Sequence, residues 1–245
     1  MKKFGLLGFP LSHSFSKKYF TEKFVKLGIA DTHQYDLYEI EHIDELKEII
    51  NKTEGITGFN VTIPHKLNVL PHLSDIEPNA QRIGAVNVLK VQENKTLKGY
   101  NSDYYGFSKS LAEFLGDTRK LKALVLGNGG AAKAVCVSLE DMGIPYQLVS
   151  RRASDDTINY RKANELLAEY KLIVNCTPLG TYPNVSTFPD LDYENIGSGH
   201  FCFDLVYNPS ETKFLQKSKE NGAKTINGYD MLVYQAEKSW EIWNS

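Results

Sequence analysis

The chain has 245 residues, of which 42% are hydrophobic and 24% are charged. Its 28 lysines and arginines nearly balance its 30 aspartates and glutamates, so no basic surface for nucleic acid is expected. The length is sufficient for a sizeable core and predicts one to two domains. Apolar runs are too short for a membrane span or a signal-peptide core, which favours a cytoplasmic protein without membrane partners.

Strand and helix signals alternate along the first hundred residues. They predict strands at 4–8, 34–40 and 58–63, helices after residue 14 and over 41–50, and a hairpin from 85–91 and 96–101. In the first helix, Phe20, Phe24 and Leu27 are predicted to share one face. A helix over 103–115 is expected to end at Gly116.

A second series of elements begins at Leu121. The continuous apolar run 121–126 is typical of a strand in a parallel sheet with helices on both faces. Further strands are predicted at 146–149, 172–175 and 201–205, with helices from the glycine turn to 142, at 211–221 and at 231–243. The sequence therefore predicts an α/β protein of two units, with a boundary near 106–120.

The three cysteines, Cys136, Cys176 and Cys202, are widely spaced and include no C-x-x-C pair. This pattern predicts reduced, mostly buried thiols. It also argues against a structural zinc site, so no metal is expected. The aromatic side chains of the last helix, Trp240 and Trp243, are predicted to pack in a core.

A glycine-rich turn lies between a predicted strand and a predicted helix. It reads Gly127, Asn128, Gly129, Gly130, Ala131 and Ala132, which fits G-x-G-x-x-A. Such a turn lets the backbone approach a pyrophosphate at the helix start. An NAD site would carry an acidic residue at the end of the next strand, where Ser150, Arg151 and Arg152 stand instead. Two guanidiniums suit a 2′-phosphate and favour NADP, and a solvated arginine pair is the alternative.

Polar side chains also cluster at predicted strand ends in the first unit. Ser12 and Ser14 either cap the following helix or bind a small carboxylate at its positive end. Asn60 and Thr62 alternate on one face of a strand, and Lys66 follows near a helix start. Lys66 is therefore a candidate proton donor, with a solvent-exposed lysine as the alternative.

Two more polar clusters contain Asn87 and Asp103, and Asp103 has the alternative of capping a helix. Similar clusters follow strands of the second unit at 175–180 and 204–209. Because ligands of open α/β sheets bind at the carboxyl ends of strands, these clusters predict a ligand cleft between the two units.

Eight segments occur in the order typical of one enzyme family: 8–14, 60–66, 84–87, 101–103, 127–132, 175–180, 207–209 and 227–235. In these segments the chain resembles the shikimate dehydrogenases, NADP-dependent enzymes of aromatic amino-acid biosynthesis. The resemblance implies reversible reduction of 3-dehydroshikimate to shikimate with NADPH. It also implies a two-domain α/β fold, with a substrate-binding domain at 1–105 plus 226–245 and a Rossmann-type NADP-binding domain at 106–225.

The resemblance also implies roles for individual residues. Lys66 and Asp103 would form the catalytic pair. The substrate would be bound by Ser12, Ser14 and Tyr207 at its carboxylate and by Asn60, Thr62, Asn87 and Gln235 at its ring hydroxyls. The cofactor would be bound by Gly127, Asn128, Gly129, Gly130, Ala131, Ser150, Arg151, Arg152, Leu205 and Gly228.

The same residues also fit two other functions. One is a quinate/shikimate dehydrogenase with broader cofactor use, and the other is a catalytically idle relative that binds a small acid. The family includes both monomers and homodimers, and its members act on a small-molecule substrate.

Overall fold

The computed structural model describes residues 1–11, 14–118 and 120–245. Tertiary contacts divide the described chain into two compact units. The first unit comprises Met1–Ser102 and Ala236–Ser245, and the second comprises Asp103–Gln235. No described helix is both long enough and apolar enough to cross a membrane.

The first unit is built on a mixed sheet flanked by short helices. Its elements are β1 (Lys2–Gly8), α1 (Phe15–Lys26), β2 (His33–Glu39), α2 (Leu46–Lys52), β3 (Ile56–Val61), α3 (His65–Asn68), β4 (Asp75–Ile76), α4 (Pro78–Ile83), β5 (Val88–Val91) and β6 (Leu97–Tyr100). Among the described residues the sheet has six strands in the order β2-β1-β3-β5-β6-β4. Strand β1 is parallel to β2 and β3, whereas β5 is antiparallel to both β3 and β6.

Local sequence signals explain where the helices of this unit begin and end. The Ser14 hydroxyl accepts a hydrogen bond from the Lys17 amide at 3.2 Å, which satisfies one of the orphan donors at the start of α1. Helix α4 has Pro78 in its first turn and ends at Gly84, whose φ of 67° is the left-handed conformation that glycine adopts without strain. These short helices therefore carry their own start and stop signals.

The core of the first unit is rich in aromatic side chains and includes the last helix. Trp243 lies 4.8 Å from Phe4 between ring centroids, and its indole N–H donates to the Leu89 carbonyl at 3.0 Å. Gly58 leaves room for this ring, because a Cβ there would lie 2.3 Å from the indole nitrogen. The predicted core role of the two tryptophans is confirmed, since Trp240 also packs against this core.

The second unit is built on a parallel sheet. Its elements are α5 (Ser102–Leu115), β7 (Ala123–Leu126), α6 (Gly130–Asp141), β8 (Tyr146–Val149), α7 (Tyr160–Leu166), β9 (Leu172–Asn175), β10 (Phe201–Asp204), α8 (Lys213–Glu220), β11 (Lys224–Ile226) and the first part of α9 (Tyr229–Asn244), whose residues from Ala236 onward belong to the first unit. Within the described residues it has five strands in the order β11-β10-β9-β7-β8. The strand order reverses beside β7, so the carboxyl ends of β7 and β9 form the topological switch point.

Both faces of this parallel sheet are buried, as the apolar run 121–126 predicted. Val125 faces one apolar cluster with Phe203, while Leu124 faces a second cluster with Phe214. The two-residue period of a strand sends successive side chains of β7 into opposite layers. The α/β fold class with a Rossmann-type unit is thus confirmed.

The structure differs from the predicted elements in several details. Leu27 caps the end of α1 and is 51% exposed, because the helix ends before Leu27 can join the buried face of Phe20 and Phe24. The helix predicted over 41–50 is a 3-10 helix at Ile43–Glu45 followed by α2, since a capping box between His42 and Glu45 sets its start. The helix start expected near Lys66 is confirmed by α3. The short elements β4, α4, α7 and β11 were missed, because they are too short to show a hydrophobic period.

The cysteines are free thiols in the structure, with Cys136 and Cys202 buried. Burial raises the pKa of Cys136 to about 11 and that of Cys202 to about 12. The prediction of reduced, mostly buried thiols is confirmed.

Candidate active site and cofactor site

The carboxyl ends of β1 and β3 are joined at the segment that carries Thr62. The Thr62 amide donates to the Leu7 carbonyl at 2.9 Å, and the Phe9 amide donates to the Ile63 carbonyl at 3.1 Å. Gly8 allows this close approach, because a Cβ there would lie 2.4 Å from the Thr62 methyl group. Thr62 itself is half-buried. Gly8 and Phe9 of the first motif therefore meet the 60–66 motif at one edge of the sheet.

Lys66 is the second residue of α3 and is half-buried. Its carbonyl accepts a hydrogen bond from the Val86 amide at 2.9 Å, which ties the lysine-bearing turn to the segment that contains Asn87. The neighbouring His65 is buried, and its Nε2–H donates to the Ile40 carbonyl at 2.8 Å. His65 therefore anchors the lysine-bearing turn in the core of the first unit.

Asn87 lies where three strand ends converge. Its carboxamide oxygen accepts from the Ser102 amide at 2.7 Å, and its backbone carbonyl accepts from the Val61 amide at 2.8 Å. The Asn101 carboxamide donates to the Ala85 carbonyl at 2.9 Å. All of these groups are buried. The motifs at 60–66, 84–87 and 101–102, distant in sequence, are thus fixed against one another by hydrogen bonds in the first unit.

Asn60 is 8% exposed and both ends of its carboxamide bond to the protein. Its oxygen accepts from the Tyr35 hydroxyl at 2.8 Å, and its nitrogen donates to the Ser239 hydroxyl at 2.9 Å. Ser239 lies 3.2 Å from the Ser102 hydroxyl, which in turn contacts Asn87. Asn60 is therefore a link in a buried polar network that extends to Asn87.

Of the two serines proposed for a carboxylate, Ser12 lies outside the described residues. Ser14 takes the capping role, with its oxygen accepting from the Lys17 amide. Because a hydroxyl has one proton as well as two lone pairs, this bond leaves the Ser14 proton to donate to a carboxylate. The capping and binding roles are compatible in this geometry.

The glycine turn lies at the switch point of the second unit. Gly127 has a φ of 101° and its Cβ position would be 3.1 Å from the Thr177 methyl group, so both conformation and packing favour glycine. Helix α6 begins at Gly130, and Gly129 at its N-cap has no side chain to satisfy the first amides. No described atom lies within 4 Å of a Cβ built at Gly129. Unobstructed backbone amides at a helix start suit a pyrophosphate.

The five turn residues assigned to the cofactor differ in exposure: Asn128 and Gly129 are exposed, whereas Gly127, Gly130 and Ala131 are partly buried. At the end of β8, Arg151 and Arg152 are both exposed, and Ser150 is partly buried. Burial raises the pKa of Tyr160, and the nearby Arg151 guanidinium acts in the opposite direction. Backbone amides suited to a pyrophosphate and arginines suited to a 2′-phosphate are both present, so these residues fit NADP.

Leu205 and Gly228 are brought together in the second unit. The Gly228 amide donates to the Val206 carbonyl at 3.1 Å, and a Cβ at Gly228 would lie 2.1 Å from the Leu205 oxygen. Only glycine fits at this contact. Tyr207 is 37% exposed, and burial of part of its ring raises its pKa.

Asp204 is a buried carboxylate that sequence reasoning placed in a cluster but gave no role. It accepts hydrogen bonds from the Asn175 carboxamide at 2.9 Å, the Val206 amide at 3.0 Å and the Thr212 hydroxyl at 2.6 Å. Burial raises its pKa to about 6, against the effect of these three bonds. The signal in the sequence is an aspartate as the last residue of an apolar strand. It joins β9, β10 and the start of α8.

Asp103 and Gln235 belong to the second unit. Asp103 lies in the first turn of α5 and is 4% exposed. Helices α5 and α9 approach closely at Gly106, where a Cβ would lie 2.5 Å from the Met231 carbonyl oxygen and 3.1 Å from the Gln235 Cβ. The proposed site residues thus divide between the units: Asn60, Thr62, Lys66 and Asn87 in the first, and Asp103, Tyr207, Gln235 and the cofactor residues in the second.

An α/β unit with a lysine at a polar strand edge, together with a Rossmann-type unit with a dinucleotide turn, defines a two-domain nicotinamide-dependent dehydrogenase. Residues 6–89 match the family model of the shikimate dehydrogenase substrate binding domain. The chain is 42% identical to a shikimate dehydrogenase (NADP(+)) of Clostridium beijerinckii, covering 99% of this chain and 92% of that protein. It is 37% identical to the enzyme of the same name from Methanococcus aeolicus, covering 99% and 91%.

The fold agrees with this relationship. A crystal structure of shikimate 5-dehydrogenase from Thermus thermophilus, in complex with NADP(H) and shikimate, superposes with a TM-score of 0.85. The two chains are 32% identical, and the match covers 99% of this chain and 93% of that one. The chain belongs to the shikimate dehydrogenase family.

Proposed function

We propose that this protein catalyses the reversible reduction of 3-dehydroshikimate to shikimate with NADPH, a step towards chorismate and the aromatic amino acids. The observation that carries the proposal is the junction in the first unit. There, hydrogen bonds hold Thr62, the Lys66 turn and Asn87 at one sheet edge. This junction supports a site in which the Thr62 hydroxyl, the Lys66 ammonium and the Asn87 carboxamide act on one hydroxylated cyclic ketone.

In this proposal the substrate is oriented at both ends. Ser12, Ser14 and Tyr207 donate hydrogen bonds to its carboxylate, and the positive end of α1 favours the negative charge. The ring hydroxyls bond to Asn60, Thr62, Asn87 and Gln235. Asn60 acts mainly through the buried network, because its carboxamide is engaged by Tyr35 and Ser239.

The chemical step requires a proton donor beside the ketone oxygen. Bound NADPH supplies the hydride that reduces the carbonyl carbon. The Lys66 ammonium stabilises the negative charge that develops on the oxygen and gives it a proton, which completes the alcohol. In the oxidative direction the neutral amine takes the proton back. Asp103 orients the ammonium and accepts a hydrogen bond from the neighbouring hydroxyl.

The cofactor is held in the second unit. The backbone amides from Gly127 to Ala131 bind the pyrophosphate, and Ser150, Arg151 and Arg152 bind the 2′-phosphate. Leu205 and Gly228 line the nicotinamide end. We assign 1–105 with 226–245 to the substrate domain and 106–225 to the NADP domain; this functional division differs from the contact-based units, which include 103–105 and 226–235 in the second unit. We expect a cytoplasmic monomer or homodimer.

The proposal is tested by assaying the purified protein with shikimate or quinate, each with NADP or NAD. The appearance of reduced nicotinamide is followed by its absorbance. We expect shikimate with NADP to give the highest kcat/KM of the four combinations.

Each other outcome has a definite meaning. Equal use of quinate or of NAD indicates a broader quinate/shikimate dehydrogenase. No reaction in any combination, with shikimate binding still measurable by calorimetry, indicates a catalytically idle relative and contradicts the proposal.

A further inference from the structure

The loop between β8 and α7, residues 150–158, closes on itself and is called here the arginine loop. The Ser150 amide donates to the Ile158 carbonyl at 2.9 Å, and the Ile158 amide donates to the Leu148 carbonyl at 2.9 Å. These two bonds form a parallel β-bridge between Val149, at the end of β8, and Ile158. The bridge closes the base of the loop. Further along, Ser154 and Thr157 bond to each other through both backbone amides, at 3.0 and 3.3 Å. These backbone hydrogen bonds therefore fix the conformation of the arginine loop.

The Thr157 hydroxyl lies at the centre of this loop, on a residue that is 7% exposed. Its oxygen is 2.9 Å from the Ser150 hydroxyl, 2.9 Å from the Ser154 hydroxyl and 3.4 Å from the Arg152 carbonyl oxygen. The Ser150 hydroxyl also donates to the Arg152 carbonyl. One consistent assignment runs from Ser154 to Thr157, from Thr157 to Ser150 and from Ser150 to the Arg152 carbonyl. In this assignment the Thr157 hydroxyl bonds to Ser154 and Ser150, and Ser150 continues the chain to the Arg152 carbonyl.

This network fixes the backbone from which the two arginine side chains extend. A flexible loop would have to be ordered when a phosphate binds, and that ordering would reduce the affinity. The same turn also confines Asp155 and Asp156 to its tip between Ser154 and Thr157. In a looser loop these carboxylates would be able to approach the guanidiniums and compete with a phosphate for them.

We propose that Thr157 is a positioning residue for cofactor selectivity: its hydroxyl preorganises Arg151 and Arg152 for a 2′-phosphate without touching it. The inference rests on the proposed NADP-dependent function. It adds a residue that affects cofactor selectivity by fixing the backbone that carries the two arginines. Ser150 has a part in loop order as well, because its hydroxyl donates to the Arg152 carbonyl. When that hydroxyl turns to a 2′-phosphate, the Thr157 hydroxyl is able to donate to the Arg152 carbonyl instead.

The test compares Thr157→Val, which keeps the shape but removes the hydroxyl, with Thr157→Ser, which keeps the hydroxyl. Calorimetry measures the Kd of adenosine 2′,5′-bisphosphate and of 5′-AMP, two probes that differ only in the 2′-phosphate. We expect Thr157→Val to weaken the bisphosphate about tenfold and leave 5′-AMP within about twofold. Thr157→Ser should retain the wild-type preference. In the enzymatic assay, Thr157→Val should raise KM for NADPH with kcat unchanged.

Thr187→Val is the matched control, because Thr187 also orders a loop of the second unit through its hydroxyl. It accepts from the Gly180 amide at 2.9 Å and donates to the Asn184 carbonyl at 2.8 Å. We expect its ratio of the two Kd values to equal that of the wild type. Equal weakening of both probes by Thr157→Val, an unchanged ratio, or equal impairment by Thr157→Ser would each overturn the inference.

The failure of this inference can be distinguished from failure of the proposed function. A wild-type protein that oxidises shikimate with NADP and prefers the bisphosphate, while Thr157→Val keeps that preference, refutes only the role of Thr157. A wild-type protein without preference for the bisphosphate refutes the role of Thr157 together with the 2′-phosphate site. Inactivity towards shikimate refutes the proposed reaction and leaves the binding comparison to decide on Thr157.

Discussion

The two sheet edges of this molecule present different kinds of polar group. At the edge of the first unit, side chains such as Asn60, Asn87 and Ser102 bond to one another in a buried network. At the edge of the second unit, the backbone at Gly129 is exposed and unobstructed, and the arginine side chains that follow β8 are also exposed.

The difference matches the two ligands of the proposed reaction. A small ring with several hydroxyls is recognised by directional side-chain bonds that must be fixed in advance. A dinucleotide carries its charge on phosphates, which backbone amides and guanidiniums recognise with little help from side-chain shape. We therefore expect mutations at the first edge to affect kcat, and those at the second edge to affect cofactor KM or the stability of its support.

The largest effect is expected for Lys66→Ala in the first unit. Removing the proton donor should lower kcat about a thousandfold with a small change in KM for shikimate, because general acid–base catalysis contributes on the order of 10²–10⁴. Steady-state kinetics in both directions measures this. Lys52→Ala is the control, since the exposed Lys52 pairs with Glu48 on the surface of α2. A kcat within tenfold of the wild type for Lys66→Ala would contradict the catalytic role.

The next largest effect concerns the stability of the second unit, in which the buried Asp204 carboxylate joins β9, β10 and the start of α8. Its pKa of about 6 in the folded protein exceeds the ordinary value of 3.8. Between about pH 4 and 6 the unfolded chain therefore loses a proton that the folded protein keeps, so stability falls as pH rises through this range. Above about pH 6 both states are ionised and this contribution is constant. The loss is at most about 3 kcal/mol, since one pKa unit corresponds to about 1.4 kcal/mol.

Asp204→Asn removes this titration and keeps an oxygen that can accept from Asn175 and Val206. Urea unfolding at several pH values should show the wild type losing stability relative to the variant between pH 4 and 6. The nearby Cys176 and Cys202 do not titrate there, because burial raises the pKa of both thiols. Asp192→Asn, at an exposed position of the same unit, serves as the control. A constant difference between wild type and Asp204→Asn across this range would show that the carboxylate is not destabilised by burial.

A third, smaller effect tests the charged part of the second edge. Arg151→Ala should raise KM for NADPH about 30-fold and leave KM for NADH nearly unchanged, because a charge-assisted hydrogen bond to phosphate contributes about 2 kcal/mol. Arg161→Ala, an exposed arginine in α7, should change neither value. If Arg151→Ala raises both KM values equally, the guanidinium does not read the 2′-phosphate.

The sequence was informative about this second edge because its signals are local. The glycine turn, the apolar strand before it and the arginine pair are all contiguous segments, and each could be interpreted without knowing the fold. The class of fold followed from the same alternation of strands and helices. Very short strands such as β4 and β11 could not be predicted, because two or three residues cannot show a period.

The first edge was harder to predict, since its important partners are distant in sequence. The bond from Asn60 to Ser239 spans 179 positions, and its bond to Tyr35 spans 25. The alternation of Asn60 and Thr62 along a strand indicated a polar face, but it did not reveal that Asn60 is held within the core. The same holds for Asp204, whose partner Asn175 lies 29 positions away. Such roles depend on tertiary contacts between distant residues, and a local sequence pattern does not reveal these contacts.

The smallest effect isolates the backbone part of the second edge. Gly129 has a φ of −78°, which alanine can adopt, and no described atom lies within 4 Å of its Cβ position. Gly129→Ala should therefore leave the free energy of unfolding unchanged. It should raise KM for NADPH and NADH alike, by about fivefold, because a methyl group holds the pyrophosphate away from the α6 amides at a cost of about 1 kcal/mol.

Gly199→Ala provides the control, since Gly199 is exposed in the same unit and its Cβ position is equally open. Unfolding in urea and steady-state kinetics on both variants separate stability from cofactor binding. If Gly129→Ala leaves both KM values unchanged, the cofactor does not approach this turn. A selective effect on NADPH would instead mean that the turn senses the 2′-phosphate. A common effect, beside the selective one expected for Arg151→Ala, would divide cofactor recognition into a backbone part and a charged part.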